Sequence, residues 1–166
     1  MSAAAQVAPL NRKTAVRFIV CLGVVSLFAD MTYEGSRSIL GPYLKDLGAG
    51  ATQVGIIAGL GEMLGFALRL FSGRLADRTR AYWPIVFLGY GLNVLVVPAL
   101  AFVGNWQAAA LLVIAERTGK SLRGPARDVL LSEATKEVGH GFGFGLHAAM
   151  DQTGAVLGPL LVVTIV

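Results

Sequence analysis

Apolar residues run along this chain in long blocks, and the polar positions that interrupt them recur at helical spacing. The blocks predict five helices, at about 14–44, 52–76, 81–103, 106–131 and 142–166. From Ala81 to Ala115 there is no Asp, Glu, Lys or Arg, a run longer than the roughly 20 residues that cross a hydrocarbon core. Trp83 and Trp106 bracket the third block, 106 − 83 = 23 residues apart. That is about 35 Å of helix, the separation of two aromatic interface anchors. The connections are short, with no sign of a soluble domain or a low-complexity linker. The pattern reads as an all-α polytopic membrane protein, a single bundle over residues 1–166.

Composition strengthens that reading. Of 166 residues, 55% are hydrophobic and 14% charged, against about 25% charged in ordinary soluble domains. The mean hydropathy is +0.66. A net charge of +4 raises nucleic acid as a partner. However, the basic residues form neither a tail nor a patch interleaved with aromatics, so no nucleic-acid partner is expected. They follow instead the bias of cytoplasmic loops: Arg12, Lys13 and Arg17 precede the first helix core, and Arg74, Arg78 and Arg80 follow the second. Positive-inside counting therefore puts the N-terminus in the cytoplasm of a cell inner (plasma) membrane protein. The basic N-terminal segment has no small-residue cleavage site after its apolar run, which predicts an uncleaved first span. One cysteine, Cys21, excludes an internal disulfide and reads as a packing residue.

Charges inside the apolar blocks change the picture. At 100° per residue Asp30, Glu34 and Arg37 share one face of the first helix. Glu116, Lys120, Arg123 and Arg127 share a face of the fourth, with Arg117 beside it. Glu62 and Arg69 lie seven apart on the second, and His147 and Asp151 four apart on the fifth. Counting rises from the helix ends puts Asp30, Glu62, Glu116, Arg117 and Asp151 near the midplane, where each charge costs on the order of 3 kcal/mol. Two readings follow: salt bridges that lock the helices together, or the wall of a pathway for solute and protons. The stripes on helices one and four favour the pathway, because glycines and aliphatics alone can pack a bundle. Glycines four apart, at Gly55 and Gly59, Gly61 and Gly65, and Gly154 and Gly158, predict close helix contacts. The run "GHGFGFG" at 139–145 follows no strand and does not read as a nucleotide loop. No cofactor or metal is expected, and with two histidines and no nucleophile elbow the chain does not read as an enzyme. His147 is expected to pack beside Asp151.

Three segments carry a family resemblance. "SGRLADRTR", Ser72 to Arg80, resembles the helix 2–3 motif of the major facilitator superfamily through Gly73, Leu75, Ala76, Asp77 and Arg78, with Arg80 in place of the motif's second glycine. "ERTGKSLRGPARD" on helix four resembles a bacterial branch of that superfamily, and Pro125 is expected to kink the helix. "DQTGAVLGPLL" on helix five matches the antiporter-type G-x-x-x-G-P core through Gly154, Gly158 and Pro159.

The resemblance implies a secondary transporter built from two six-helix halves, each a pair of inverted three-helix repeats. Five helices form an incomplete N-terminal bundle of that fold. A missing C-terminal half, or a second copy, would have to complete it. The resemblance further implies a central cavity lined by helices one and four, with Asp30, Glu34, Arg37, Glu62, Glu116, Arg117, Lys120, Arg123 and Asp151 as cavity and proton-coupling candidates. Arg117 would be the relay arginine, with Asp30 and Glu34 as its titrating partners. The Gly73–Arg78 segment would be a cytoplasmic gate whose backbone turn needs Gly73. The expected function is proton-coupled movement of a small organic solute through the lipid bilayer, export being slightly favoured by helix five. The alternative is a non-transporting remnant or scaffold subunit.

Overall fold

The computed structural model describes residues 11–165, all five of whose elements are helical: α1 (Arg12–Asp46), α2 (Ala51–Thr79), α3 (Tyr82–Leu100), α4 (Trp106–Thr135) and α5 (His140–Ile165). Residues 1–10, the start of the basic N-terminal segment, lie outside the described residues. Each helix ends where local chemistry stops it. Asn11 caps α1 by accepting from the Lys13 amide at 3.2 Å, and Asn105 caps α4 by accepting from Ala108 at 2.8 Å. Gly48, at φ +90, turns the chain after α1. Arg80 ends α2 at φ 52, in the left-handed region that glycine enters without strain. This is the position where the family motif carries glycine.

Four of the helices, α1, α2, α3 and α5, are long and apolar enough to cross a membrane. α4 is as long but carries Glu116, Arg117, Lys120, Arg123 and Arg127 in its middle, and the fold accommodates them by surrounding it. α4 packs on α1, α2, α3 and α5, while α1 makes its largest contact with α5. The outward surface is apolar, with Phe28, Phe66, Leu70, Phe87, Leu95 and Val163 all exposed, as lipid contact requires. Cys21 is exposed as well, rather than packed.

Glycines place the backbones. Gly154 would carry a Cβ into the Leu27 carbonyl, and Gly158 into the backbone of Met31 and Gly35, so α5 seats directly on α1. Between α3 and α4, a Cβ on Gly89 would lie 2.6 Å from the Gly119 carbonyl. On α2 the expected close packing does not occur at Gly55, Gly59 or Gly65, where an added Cβ meets nothing within 4 Å, while Gly61 faces the Arg117 side chain. Helical spacing puts small residues on one face but does not supply a neighbour for that face.

Pro125 does not end α4. It has no N–H to give the Ser121 carbonyl one turn back. The Ser72 hydroxyl of α2 donates to that carbonyl at 2.8 Å, satisfying in lipid a group that water cannot reach. Tyr43 on α1 likewise donates its hydroxyl to the Leu100 carbonyl at the end of α3.

Apolar clusters close the bundle at both ends. Ile19, Leu22, Leu131 and Ala134 pack at the end where α1 begins, and Leu44, Ala49, Ile57, Ala109 and Val113 at the other. A Gly154→Leu substitution should lower stability by on the order of 3 kcal/mol through overpacking. Gly55→Leu should change it by less than about 0.5 kcal/mol. Thermal unfolding in detergent micelles measures both, and equal losses would show that the α1–α5 approach is not what fixes the bundle.

Candidate functional site

Between the two apolar ends the core is polar. The α1 face at Asp30, Glu34 and Arg37 meets the α4 face at Arg117, Lys120 and Arg123, and α2 contributes Glu62. Arg37 donates to Glu62 Oε1 at 2.7 Å, and Arg117 donates to the same oxygen. Arg37 also lies 3.8 Å from Glu34 Oε2. Lys120 Nζ sits 3.4 Å from Glu34 Oε1 and 3.4 Å from Asp30 Oδ1. Asp30 in turn accepts from Arg123 Nη2 at 2.9 Å. Glu62, Glu34 and Asp30 are each shared by two cations, so the charges form a ladder rather than isolated pairs.

The ladder continues through neutral groups. Arg123, 1% exposed, donates to Asn93 Oδ1 at 3.0 Å and lies 4.5 Å from the centre of the Tyr90 ring. The Tyr90 hydroxyl hydrogen-bonds Ser26 at 2.8 Å, and Ser26 also bonds His147 Nε2 at 3.1 Å. Arg127 reaches Ser26 at 3.4 Å, Asp151 at 3.5 Å and its neighbour Asp128 at 3.1 Å. Lys120 stands 3.7 Å from the centre of the Tyr33 ring.

Several expected partnerships are redistributed. Asp30 pairs with Arg123 and Lys120, not with Arg117, whose carboxylate is Glu62. The physical reason is depth. Asp30 and Arg123 stand at nearly equal numbers of rises from the shared end of α1 and α4, whereas Arg117 stands about 9 Å nearer that end. His147 is buried against Ser26 rather than Asp151, and Asp151 belongs to Arg127. Glu116 is buried with Oε1 unpartnered and makes no ion pair among the described residues.

The gate motif is not a loop. Gly73, Leu75, Asp77 and Arg78 occupy the last turns of α2, which runs to Thr79. A Cβ at Gly73 would make only ordinary contact with Pro125, 3.6 Å away, so no turn requires that glycine. Asp77 is exposed and makes no ion pair among the described residues. On α5, Gly154 and Gly158 form the α1 contact and Pro159 continues the helix.

Sequence reasoning missed Asn93, Tyr90, Ser26 and Tyr33. Asn93 was the one available signal on α3, an amide in a run without any charge. Gly89 and Gly119 give it its role, since their close approach brings α3 onto Arg123. Among the described residues no group of three His, Cys, Asp or Glu side chains is placed to hold a metal ion.

An apolar-surfaced helical bundle with an ion-paired polar core is the architecture of a polytopic membrane protein. The sequence profile of the Major Facilitator Superfamily matches residues 22–166, and the chain belongs to that family of transporters. It is 52% identical over 149 residues to an uncharacterized protein of Mycobacterium tuberculosis, covering 90% of this chain and 36% of that one. It is 30% identical over 151 residues to an uncharacterized MFS-type transporter of Methanocaldococcus jannaschii (91% and 38%). The similarity to the multidrug resistance protein MdtH of Photorhabdus laumondii is 30% over 119 residues (72% and 29%). The chain thus spans little more than a third of the length of the curated relatives it matches most fully. No solved structure matches it significantly.

Proposed function

We propose that the chain is the N-terminal part of a proton-coupled secondary transporter for a small organic solute, working as an exporter. Export is supported by the antiporter-type helix-five motif and by the similarity to MdtH, whose name describes multidrug resistance. The helix pairing supports assignment to a six-helix half. Exchanging α1 with α4 and α2 with α5 turns the α1–α5 contact into the α4–α2 contact, as inverted three-helix repeats require. The same exchange turns the α3–α4 contact into a contact of a sixth helix with α1. An apolar groove of about 440 Å³ beside Met31, Gly35 and Ile39 lies on α1.

The observation that carries proton coupling is the position of Lys120, equidistant from Asp30 and Glu34 at 3.4 Å. A proton arriving at Glu34 removes one of the two attractions on the ammonium and leaves it to Asp30. Arg37 is released to Glu62 at the same moment. One proton therefore redistributes cations among α1, α2 and α4, the kind of differential contact a two-state carrier needs. The Gly73–Arg78 turns of α2 act as the cytoplasmic gate in this reading, and the N-terminus lies in the cytoplasm.

Glu34 is the carboxylate whose loss the fold should tolerate, because Lys120 keeps Asp30 and Arg37 keeps Glu62. In proteoliposomes, Glu34→Gln should still exchange solute across the membrane but lose accumulation driven by a pH gradient. Accumulation at the parental level would remove Glu34 from the coupling. A cysteine placed at position 78 should react with an impermeant maleimide only from the cytoplasmic side. Labelling from outside would reverse the orientation and with it the gate.

A further inference from the structure

Glu116 is the buried carboxyl that the ion-paired core leaves out. It is 5% exposed, and its Oε1 is enclosed by the described helices with no hydrogen-bond partner among them. It stands 116 − 106 = 10 rises into α4 from Trp106, about 15 Å, near the middle of a hydrocarbon core about 30 Å thick. The cations of the core are engaged elsewhere. Arg37 and Arg117 meet Glu62, Lys120 meets Asp30 and Glu34, Arg123 meets Asp30, and Arg127 meets Asp128 and Asp151. Those five cations face five carboxylates, and the pairing closes without Glu116. From α1, Tyr33 and Glu34 act on it, and from its own helix Arg117, Lys120 and Arg123. α2 turns Glu62 to Arg117 and Arg69 to Gly124. α3 has no charged residue, and its Tyr90 hydroxyl bonds Ser26. α5 turns Asp151 to Arg127 and His147 to Ser26. An ionised Glu116 would be an excess negative charge in the low-dielectric interior, whereas a neutral one leaves only a hydrogen bond unmade.

We propose that Glu116 is a second proton site, which holds a proton in the arrangement seen here and gives it up when Glu34 takes one. The inference rests on the transporter reading above and adds the group that discharges as Glu34 is loaded. Lys120 follows Glu116 by four residues, the Glu-to-Lys spacing at which two side chains of one helix meet. Protonation of Glu34 ends its pull on the ammonium, 3.4 Å away. Asp30 still has Arg123, so Lys120 is free to serve Glu116 as well. The Glu116 O–H bond then breaks. Its electron pair stays on the carboxylate, and the proton passes to water in the cleft that Lys120 lines. One proton enters and one leaves, so the charge of the core is unchanged.

Infrared difference spectroscopy reads the proton directly, through the C=O stretch that a carboxyl shows and a carboxylate does not. The sample is the protein expressed from its complete reading frame, in proteoliposomes at neutral pH. The band should be present, shift in heavy water and vanish in Glu116→Gln. Glu116→Asp keeps a carboxyl and should retain a band at altered frequency, which serves if Glu116→Gln does not fold. Glu34→Gln, the uncharged stand-in for protonated Glu34, should lose most of the Glu116 band. Adding Lys120→Gln should restore it, because the new partner is then gone. No band tied to Glu116, a band that Glu34→Gln leaves at full strength, or one still lost in the double variant would each overturn the assignment. The spectra need no solute. The full pattern without gradient-driven accumulation would uphold the two proton sites and count against the transport reading instead. Accumulation without the pattern would do the reverse.

Discussion

A charge in hydrocarbon must have a partner, and most of this bundle follows from that requirement. α4 carries more charge than a lipid-facing helix can hold, so it lies where other helices contact it on several sides. The partners come from α1 and α2, at the same depth and facing inward. The apolar residues take the positions that soluble proteins give to charge. The result is a core that is polar in the middle and apolar at both ends, inside a surface of exposed Phe, Leu and Val.

Sharing distinguishes this core from a set of struts. Glu62, Glu34 and Asp30 each serve two cations, and Arg37 and Lys120 each reach two carboxylates, so the middle of the ladder can lose one contact and keep another, while Arg117 and Arg123 at its ends depend on Glu62 and Asp30 alone. A strut resists rearrangement because breaking it leaves a buried charge uncompensated. A shared ladder can re-pair in steps, each a small difference between similar arrangements. The glycine contacts of α1 with α5 and of α3 with α4 supply the rigid frame around it. Backbone groups freed by proline are likewise secured across helices, as with Ser72 on the Ser121 carbonyl. Stiff packing outside and exchangeable pairing inside would let the proposed transporter change state without unfolding.

Much of this was legible in the sequence, and the limits have physical causes. Helix number and the polar faces of α1 and α4 follow from period and composition alone. Which charge meets which does not, because it depends on helix depth and rotation. α1 is 35 residues long, more than the membrane requires, so counting to a midplane from its start misplaces Asp30 relative to α4 and suggests Arg117. Counted from the end that α1 and α4 share, Asp30 and Arg123 come level. The glycine pairs show the same limit: Gly154 and Gly158 have a backbone against them, while Gly55 and Gly59 have identical spacing and no neighbour. Asn93 and Tyr90 could not be assigned from α3 itself, since their role comes from Arg123 on another helix.

Buried charges of α1 and α4 hold the bundle through each other, and the Asp30–Arg123 contact at 2.9 Å is the most buried instance. A double-mutant cycle of thermal stability on Asp30→Asn, Arg123→Gln and the combined variant tests it most directly. Each single change should cost roughly 3–5 kcal/mol by stranding a buried partner, and the double change should cost less than either. Losses that simply add would show the opposite, that the two side chains stabilise the bundle independently.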